Sequence, residues 1–175
     1  PILLSEMSYF DSDRERVTGQ RLYNEFGLTK PMNWTAGFLQ PTVKYRSVAY
    51  ELDRPFTDIE KSPNAGSLMA SLDGGLIFER QTSLFGRSMT QTLEPRVYYL
   101  FSQYEEQIFQ PDFDTAELTF SYGQLFRDTR FSGNDRLDDA HQLSVGVTSR
   151  YFDNETGEEK LSASLGQIYY FRDRE

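Results

Sequence analysis

The stretch Leu143-Ser-Val-Gly-Val-Thr-Ser-Arg-Tyr151 decides the fold class. Its odd positions, Leu143, Val145, Val147, Ser149 and Tyr151, are mostly apolar, and its even positions, Ser144, Gly146, Thr148 and Arg150, are small or polar. Successive side chains of an extended chain point to opposite faces, so period two marks a strand with one apolar and one polar side. Residues 160–171 repeat the pattern. Leu161, Ala163, Leu165, Tyr169 and Phe171 share a face with one polar member, Gln167, against Lys160, Ser162, Ser164 and Gly166. Between the two, Asp153 to Glu159 contains Gly157 and reads as a turn, which makes a β-hairpin.

The same alternation runs upstream. Leu68, Ala70, Leu72, Leu76 and Phe78 oppose Ser67, Ser71, Asp73 and Glu79. After a short connection near Gln81 to Gly86, Met89, Leu93, Val97, Tyr99 and Phe101 oppose Ser88, Thr90, Thr92, Glu94 and Arg96. Pro95 has no N–H to give a ladder, so irregular pairing or a bulge is expected there. Val17 to Thr29 and Trp34 to Tyr50 read as strands joined near Pro31–Asn33, and Ile2 to Phe10 as one more. The apolar phase slips between Phe38 and Leu39, which predicts a bulge. Connections alternate between short (31–33, 81–86, 153–159) and long (51–65, 103–141), as they do in outer-membrane barrels. The expected fold is all-β: an antiparallel up-and-down meander without a convincing helix, forming a partial transmembrane β-barrel. Residues 1–175 would be a fragment of a single outer-membrane barrel domain, with about seven strands where the smallest such barrels use eight.

Composition narrows the function. Aromatics make up 15% of the residues, which favours strands and suits rings at a membrane–water boundary. Tyr98, Tyr99 and Phe101, then Tyr151 and Phe152, then Tyr169 to Phe171, stand at strand ends and predict two aromatic girdles. The net charge of −9 argues against a nucleic-acid partner, because phosphate binding needs a basic surface. The acids cluster at Asp11 to Glu15, Glu51 to Glu60, Glu105 to Glu117, Asp128 to Asp139 and Asp153 to Glu159, mainly in connections. With no Cys there is no disulfide framework or thiolate metal site. No apolar run approaches the roughly 20 residues of a membrane helix. Both ends look like cuts in a longer chain.

Several motifs resemble one family. They are Thr92-Leu-Glu-Pro-Arg-Val-Tyr-Tyr-Leu100, Gln124-Leu-Phe-Arg-Asp-Thr-Arg-Phe-Ser-Gly-Asn-Asp-Arg136, Asp139-Ala-His-Gln-Leu143, Gly146-Val-Thr-Ser-Arg150 and Gly166-Gln-Ile-Tyr-Tyr-Phe171. In order and spacing they resemble the LptD family of lipopolysaccharide-assembly proteins, over roughly residues 66–171. Upstream, Thr18-Gly-Gln-Arg21 and Gln40-Pro-Thr-Val43 add to the likeness. One departure is His141, where the family more often carries Asn. The resemblance implies an internal part of the family's C-terminal outer-membrane barrel in a Gram-negative bacterium. It also implies non-enzymatic insertion of lipopolysaccharide into the outer leaflet. The implied partners are lipopolysaccharide, the lipoprotein LptE inside the barrel, outer-membrane lipid, and a periplasmic Lpt bridge reached through a domain outside this chain. The periplasmic domain, the lateral gate and the family's cysteines would lie outside it as well.

No catalytic, cofactor or metal residue is assigned. The pairs Glu105–Glu106 and Asp138–Asp139 are sequence neighbours that point apart on an extended chain. His141 is the only His, so multi-histidine sites are excluded, and a lone His is more often structural. Asp153 to Gly157 is a poor match to a calcium loop, and the acidic 128–139 segment is a minor candidate for a divalent cation. The glycosylation-like triplets at Asn33 and Asn154 are discounted in a bacterial protein. The residues singled out are the motif loop and one strand face. The loop residues are Leu125, Phe126, Arg127, Asp128, Arg130, Phe131, Gly133, Asp135 and Arg136, whose mixture of rings and charges predicts a packed segment outside the cell. The short 153–159 turn would then be periplasmic. Glu94, Arg96, Thr148 and Arg150 are expected to face a wet lumen, and Leu143, Val145 and Val147 to face lipid. A different outer-membrane barrel, a porin or substrate transporter, and a secreted carbohydrate-binding β-sandwich are the alternatives.

Overall fold

The computed structural model describes residues 1–11, 17–53, 61–84 and 86–174. Part of the long 51–65 connection, the acidic stretch after Asp11 and position 85 of the 81–86 turn lie outside them. The strands are β1 (Ile2–Phe10), β2 (Gly19–Thr29), β3 (Met32–Trp34), β4 (Gly37–Leu52), β5 (Asn64–Leu76), β6 (Phe78–Leu84), β7 (Arg87–Ser102), β8 (Ala116–Glu117), β9 (Phe131–Ser132), β10 (Ala140–Asp153) and β11 (Glu159–Tyr170). A five-residue 3₁₀ turn spans Tyr122–Phe126. All pairings are antiparallel, in the order β1-β2-β4-β5-β7-β10-β11, with β3 on β4 and β6 on β7 in the same nine-stranded sheet. The meander follows sequence order although two of its connections are long, since β7 still pairs with β10 across residues 103–139.

The two short strands are continuations of longer ones. β3 keeps the register of β2 on β4, from Thr29↔Thr42 to Met32↔Leu39. The break falls at Pro31, and Lys30 N donates to Pro41 O at 3.1 Å. The hairpin therefore turns at residues 35–36, not near Pro31–Asn33. β6 likewise continues β5, and its ladder to β7 is interrupted between Gly75↔Arg96 and Phe78↔Leu93, where Pro95 offers no donor. The β4 ladder runs without a shift from Gly37↔Leu76 to Ala49↔Asn64, so there is no bulge at Phe38/Leu39. The phase slips there because Phe38 sits on the polar face, with its ring 5.7 Å from the Arg96 guanidinium. A register shift occurs instead at Tyr151/Phe152.

The expectation of a partial transmembrane barrel is corrected. β1 and β11 are the two edges of the sheet, and among the described residues neither pairs with the other or with a further strand. The sheet is open. Closure needs a set strand number, tilt and stagger, none of which period-two alternation specifies. Among the described residues no helix is long and apolar enough to cross a membrane. Nor do the described residues form a second sheet of comparable size to make a sandwich, since their other sheet is the two-stranded β8–β9 ribbon.

The sheet has two unlike faces. On one, directly paired positions form apolar rows such as Leu3–Phe26–Tyr45–Leu68 and Leu72–Tyr99–Leu143–Tyr169. Leu3, Met7 and Leu165 are each more than 70% exposed there. Residues 103–139 cross the other face as a strap. They cover a cluster of Tyr23, Val48, Tyr50, Leu52 and Leu137, and a second of Met69, Tyr98, Leu100 and Ala140. The core thus lies between sheet and strap. Aromatics gather at one end of the open face, where His141 meets Phe171 at 4.8 Å and Phe101 at 5.8 Å between ring centroids. Tyr98 faces the strap instead and is buried, so it belongs to no girdle.

Candidate functional site

The strap and the strand face beneath it bring together the polar chemistry of the chain. At one end Arg21 of β2, 1% exposed, is the hub. Its Nη1 donates to Asp114 Oδ1 at 2.6 Å and Asp135 Oδ1 at 2.7 Å, and its Nη2 to Asp114 Oδ2 at 2.9 Å and Glu6 Oε1 at 3.0 Å. Asp135 also accepts from the Tyr50 hydroxyl at 3.0 Å and from the backbone N–H of Phe113 and Asp114. Phe10 and Phe113 stack 4.3 Å apart beside the hub, and Asn134 donates to Glu6. Gly133 allows this geometry. Its φ is +70°, and an added Cβ would lie 2.6 Å from the Asp114 carbonyl oxygen.

Further along, Lys44 bridges Asp128 at 2.7 Å and Glu25 at 3.0 Å. Arg46 donates to Ser102 Oγ and to the Asp138 carbonyl. Arg96 makes a two-pronged contact with Asp73 at 2.9 and 2.6 Å, with the Phe126 ring 4.2 Å from its guanidinium. At the far end the 3₁₀ turn lies on Gly146 and Gly166, which are direct cross-strand partners. A Cβ on Gly146 would come within 2.7 Å of the Tyr122 hydroxyl and 2.8 Å of the Phe126 ring. Tyr122 accepts from Thr148 at 3.1 Å, and Leu125 is buried.

The structure brings most of the expected motif residues together. Leu125 and Phe126 sit on the sheet, Asp128 pairs with Lys44, and Arg130 lies 3.3 Å from Asp138 with the Phe131 ring 5.0 Å below it. Asp135 is in the hub, and Arg136 donates to the Gln107 carbonyl at 2.8 Å. Arg127 is exposed and, among the described residues, has no hydrogen-bond or ion-pair partner. Glu94, Arg96, Thr148 and Arg150 share the strap-side face, with Arg150 3.2 Å from both Glu94 and Glu159. An open sheet encloses no lumen, so they line a covered polar face instead. Sequence reading missed Glu6, Arg21 and Asp114 as a unit. Arg21 and Asp135 are 114 positions apart, and nothing local to either announces the other.

The carboxylates considered for cations are engaged elsewhere. Among the described residues no cluster of three or more His, Asp or Glu is arranged to hold a metal. Asp153 accepts from the N–H groups of Glu155 and Thr156 and faces Arg87, so it caps its own turn. Those turn N–H groups hold its carboxyl below the usual range. Burial would raise Asp128, but Lys44 outweighs it and the net shift is downward. Burial raises Asp138 despite its arginine neighbours.

These shifts give a pH expectation. The Arg21 hydrogen bonds lower both Glu6 and Asp114. A lowered folded value gives stability that is present above the unfolded value and lost as pH falls through the folded one. Asp138 has the opposite sign, since its stabilisation is greatest in acid. Below about pH 4, the amides of 113–115 and 134–135 should therefore lose hydrogen-exchange protection. In Asp114→Asn the neutral-to-acid contrast should shrink. Equal protection at both pH values in the unsubstituted protein would show that the hub does not hold the strap.

Residues 3–175 match the family model described as "LptD: LPS transport system D". The chain is 49% identical over 166 residues to the LPS-assembly protein LptD of Xanthomonas campestris pv. campestris (strain 8004), covering 92% of this chain and 20% of that protein. It is 44% identical over 176 residues to that of Ectopseudomonas mendocina (strain ymp), covering 91% and 19%. It is 41% identical over 181 residues to that of Hahella chejuensis (strain KCTC 2396), covering 99% and 23%. The chain spans about a fifth of the length of these relatives. The names are those of transport and assembly proteins, in keeping with a chain that is not an enzyme. The expected placement as an internal piece of the C-terminal barrel is overturned by the open sheet. Because the family model covers nearly the whole sequence, the chain belongs to the LptD family.

Proposed function

We propose that this chain is a two-faced wall element of an outer-membrane protein that inserts lipopolysaccharide into the outer leaflet without a covalent step. The observation that carries this reading is the contrast between the faces. One is apolar across all seven strands of the main path, and the other is polar and strapped. Handling an amphipathic lipid needs that pairing, because acyl chains gain by leaving water while the sugar and its charges must stay hydrated or hydrogen-bonded. The relatives' names supply the lipid. Outer-membrane lipid would meet Leu143, Val145 and Val147. The lipoprotein LptE would approach the polar side near Glu94 and Arg150, and the Lpt bridge would connect through other parts of the longer protein. The strap would face outward and the 153–159 turn inward.

Depleting the full-length protein should remove newly made lipopolysaccharide from the cell surface while it accumulates inside. Undiminished surface lipopolysaccharide would defeat the reading. The face assignment has its own test. Arg in hydrocarbon costs about 2.5–3.5 kcal/mol, so Val145→Arg should impair assembly in lipid far more than Thr148→Arg, and equal effects would reject it. For sidedness, Ile108→Cys on the strap should react with an impermeant thiol reagent on intact cells, whereas Thr156→Cys should not. Reaction at Thr156→Cys alone would invert it.

A further inference from the structure

We propose that a 150 Å³ cavity between the strap and the β10–β11 end of the sheet is a subsite for a phosphomonoester, the headgroup chemistry of an anionic lipid. The proposal rests on the lipid-handling reading above for the source of the ligand, but its geometry stands apart from it. Three arginines line the cavity, Arg127, Arg130 and Arg174, against one acid, Glu117. That concentration of positive charge occurs in a chain whose net charge is −9. Two of the three are held in place. Arg174 donates to Asp138 at 2.9 Å and to Gln142 at 2.6 Å, and Arg130 lies 3.3 Å from the same Asp138.

Arg127 differs from them. It is exposed, it lines this cavity, and among the described residues it has no hydrogen-bond or ion-pair partner. It also lines a neighbouring 300 Å³ cavity whose cation, Lys44, is already paired with Asp128 and Glu25. A guanidinium presents a planar fork of donors that matches the oxygens of a phosphate. Two fixed guanidinium groups with a third free to close on the ligand form such a receptor. The volume amounts to about five water molecules at ~30 Å³ each, which admits a phosphate group. Apolar side chains share the lining with the arginines: Leu118, Ile168, Tyr170 and Phe120, the last 70% exposed. A lining that mixes guanidinium groups with rings fits an amphipathic anion better than a free ion.

The test uses the full-length protein in detergent with three probes: dioctanoyl phosphatidic acid, dioctanoylglycerol and inorganic phosphate. Arg127 is exposed and has no hydrogen-bond or ion-pair partner among the described residues, so Arg127→Ala should retain folding, which the strap's protease resistance checks. Losing a charged hydrogen-bond partner should weaken phosphatidic acid binding about tenfold and leave dioctanoylglycerol unchanged. Arg127→Lys, which keeps the charge without the fork, should recover part of the loss. Inorganic phosphate bound as tightly as phosphatidic acid, with the same dependence on Arg127, would support the anion subsite and assign it to free phosphate. Phosphatidic acid binding that is unchanged in Arg127→Ala would overturn the proposal. If the unsubstituted protein bound phosphate but neither lipid, the lipid-handling reading would fail while the subsite stood.

Discussion

Arg21→Ala is expected to destabilise the strapped sheet by about 3–5 kcal/mol, the usual cost of breaking a buried ion pair from one side. The size follows from what is left behind. Asp135 is fully buried and would lose its cation, keeping the Tyr50 and Thr115 hydroxyls and the backbone N–H donors around it, all of them neutral. Asp114 and Glu6 are about 40% exposed, so water can replace their share. Arg21→Lys should fall between, because one ammonium cannot reproduce the four hydrogen bonds of the fork. Urea titration of the full-length protein, followed by proteolysis of the strap, measures this. A shift below about 1 kcal/mol, the scale of an exposed ion pair, would mean that the hub is solvated in solution.

Gly146→Val is expected to push the 3₁₀ turn off the sheet, at about 1–3 kcal/mol for overpacking. Tyr122, Leu125 and Phe126 approach the backbone of β10 and β11 where the paired glycines leave no side chains. A branched side chain on that face would occupy the space of the Tyr122 hydroxyl and the Phe126 ring edge. Phe126 also covers Arg96, so the Arg96–Asp73 pair should become wetter. Cleavage after Arg127 by trypsin should accelerate. Ala163→Val, on the open apolar face of the next strand, is the control and should leave cleavage unchanged. Unaltered cleavage in Gly146→Val would show that the turn packs elsewhere.

Strand identity and face were legible because alternation is a local property. Leu143 to Tyr151 shows both within nine residues, and the structure puts Ser144 and Thr148 under the strap while Val145 stays exposed. The mixture of rings and charges in 125–136 likewise announced a packed segment. Closure was not legible, because whether Ile2–Phe10 meets Glu159–Tyr170 depends on strand number and stagger rather than on any residue in either. Phe38 misled for a different reason. An aromatic on a polar face reads as a phase error until the Arg96 beneath it is known. The hub was invisible because an ion pair between distant positions leaves no spacing to recognise.

The strap's attachment points also set an order of events. Asp114 lies 93 positions from Arg21, and Asp135 lies 114 away, so the hub is among the most non-local contacts in the chain. Closing such loops costs entropy before any contact repays it, and contacts of this kind form late. Each sheet hairpin can form between neighbours as it is made, but Arg21 must wait until the strap has been synthesised. Until then its guanidinium has Glu6 alone of its three carboxylates, and the apolar cluster beside Tyr50 is open to other chains. The interval before strap docking is therefore when a nascent copy is most exposed to mispairing, and the strap is the segment whose capture should mark maturation.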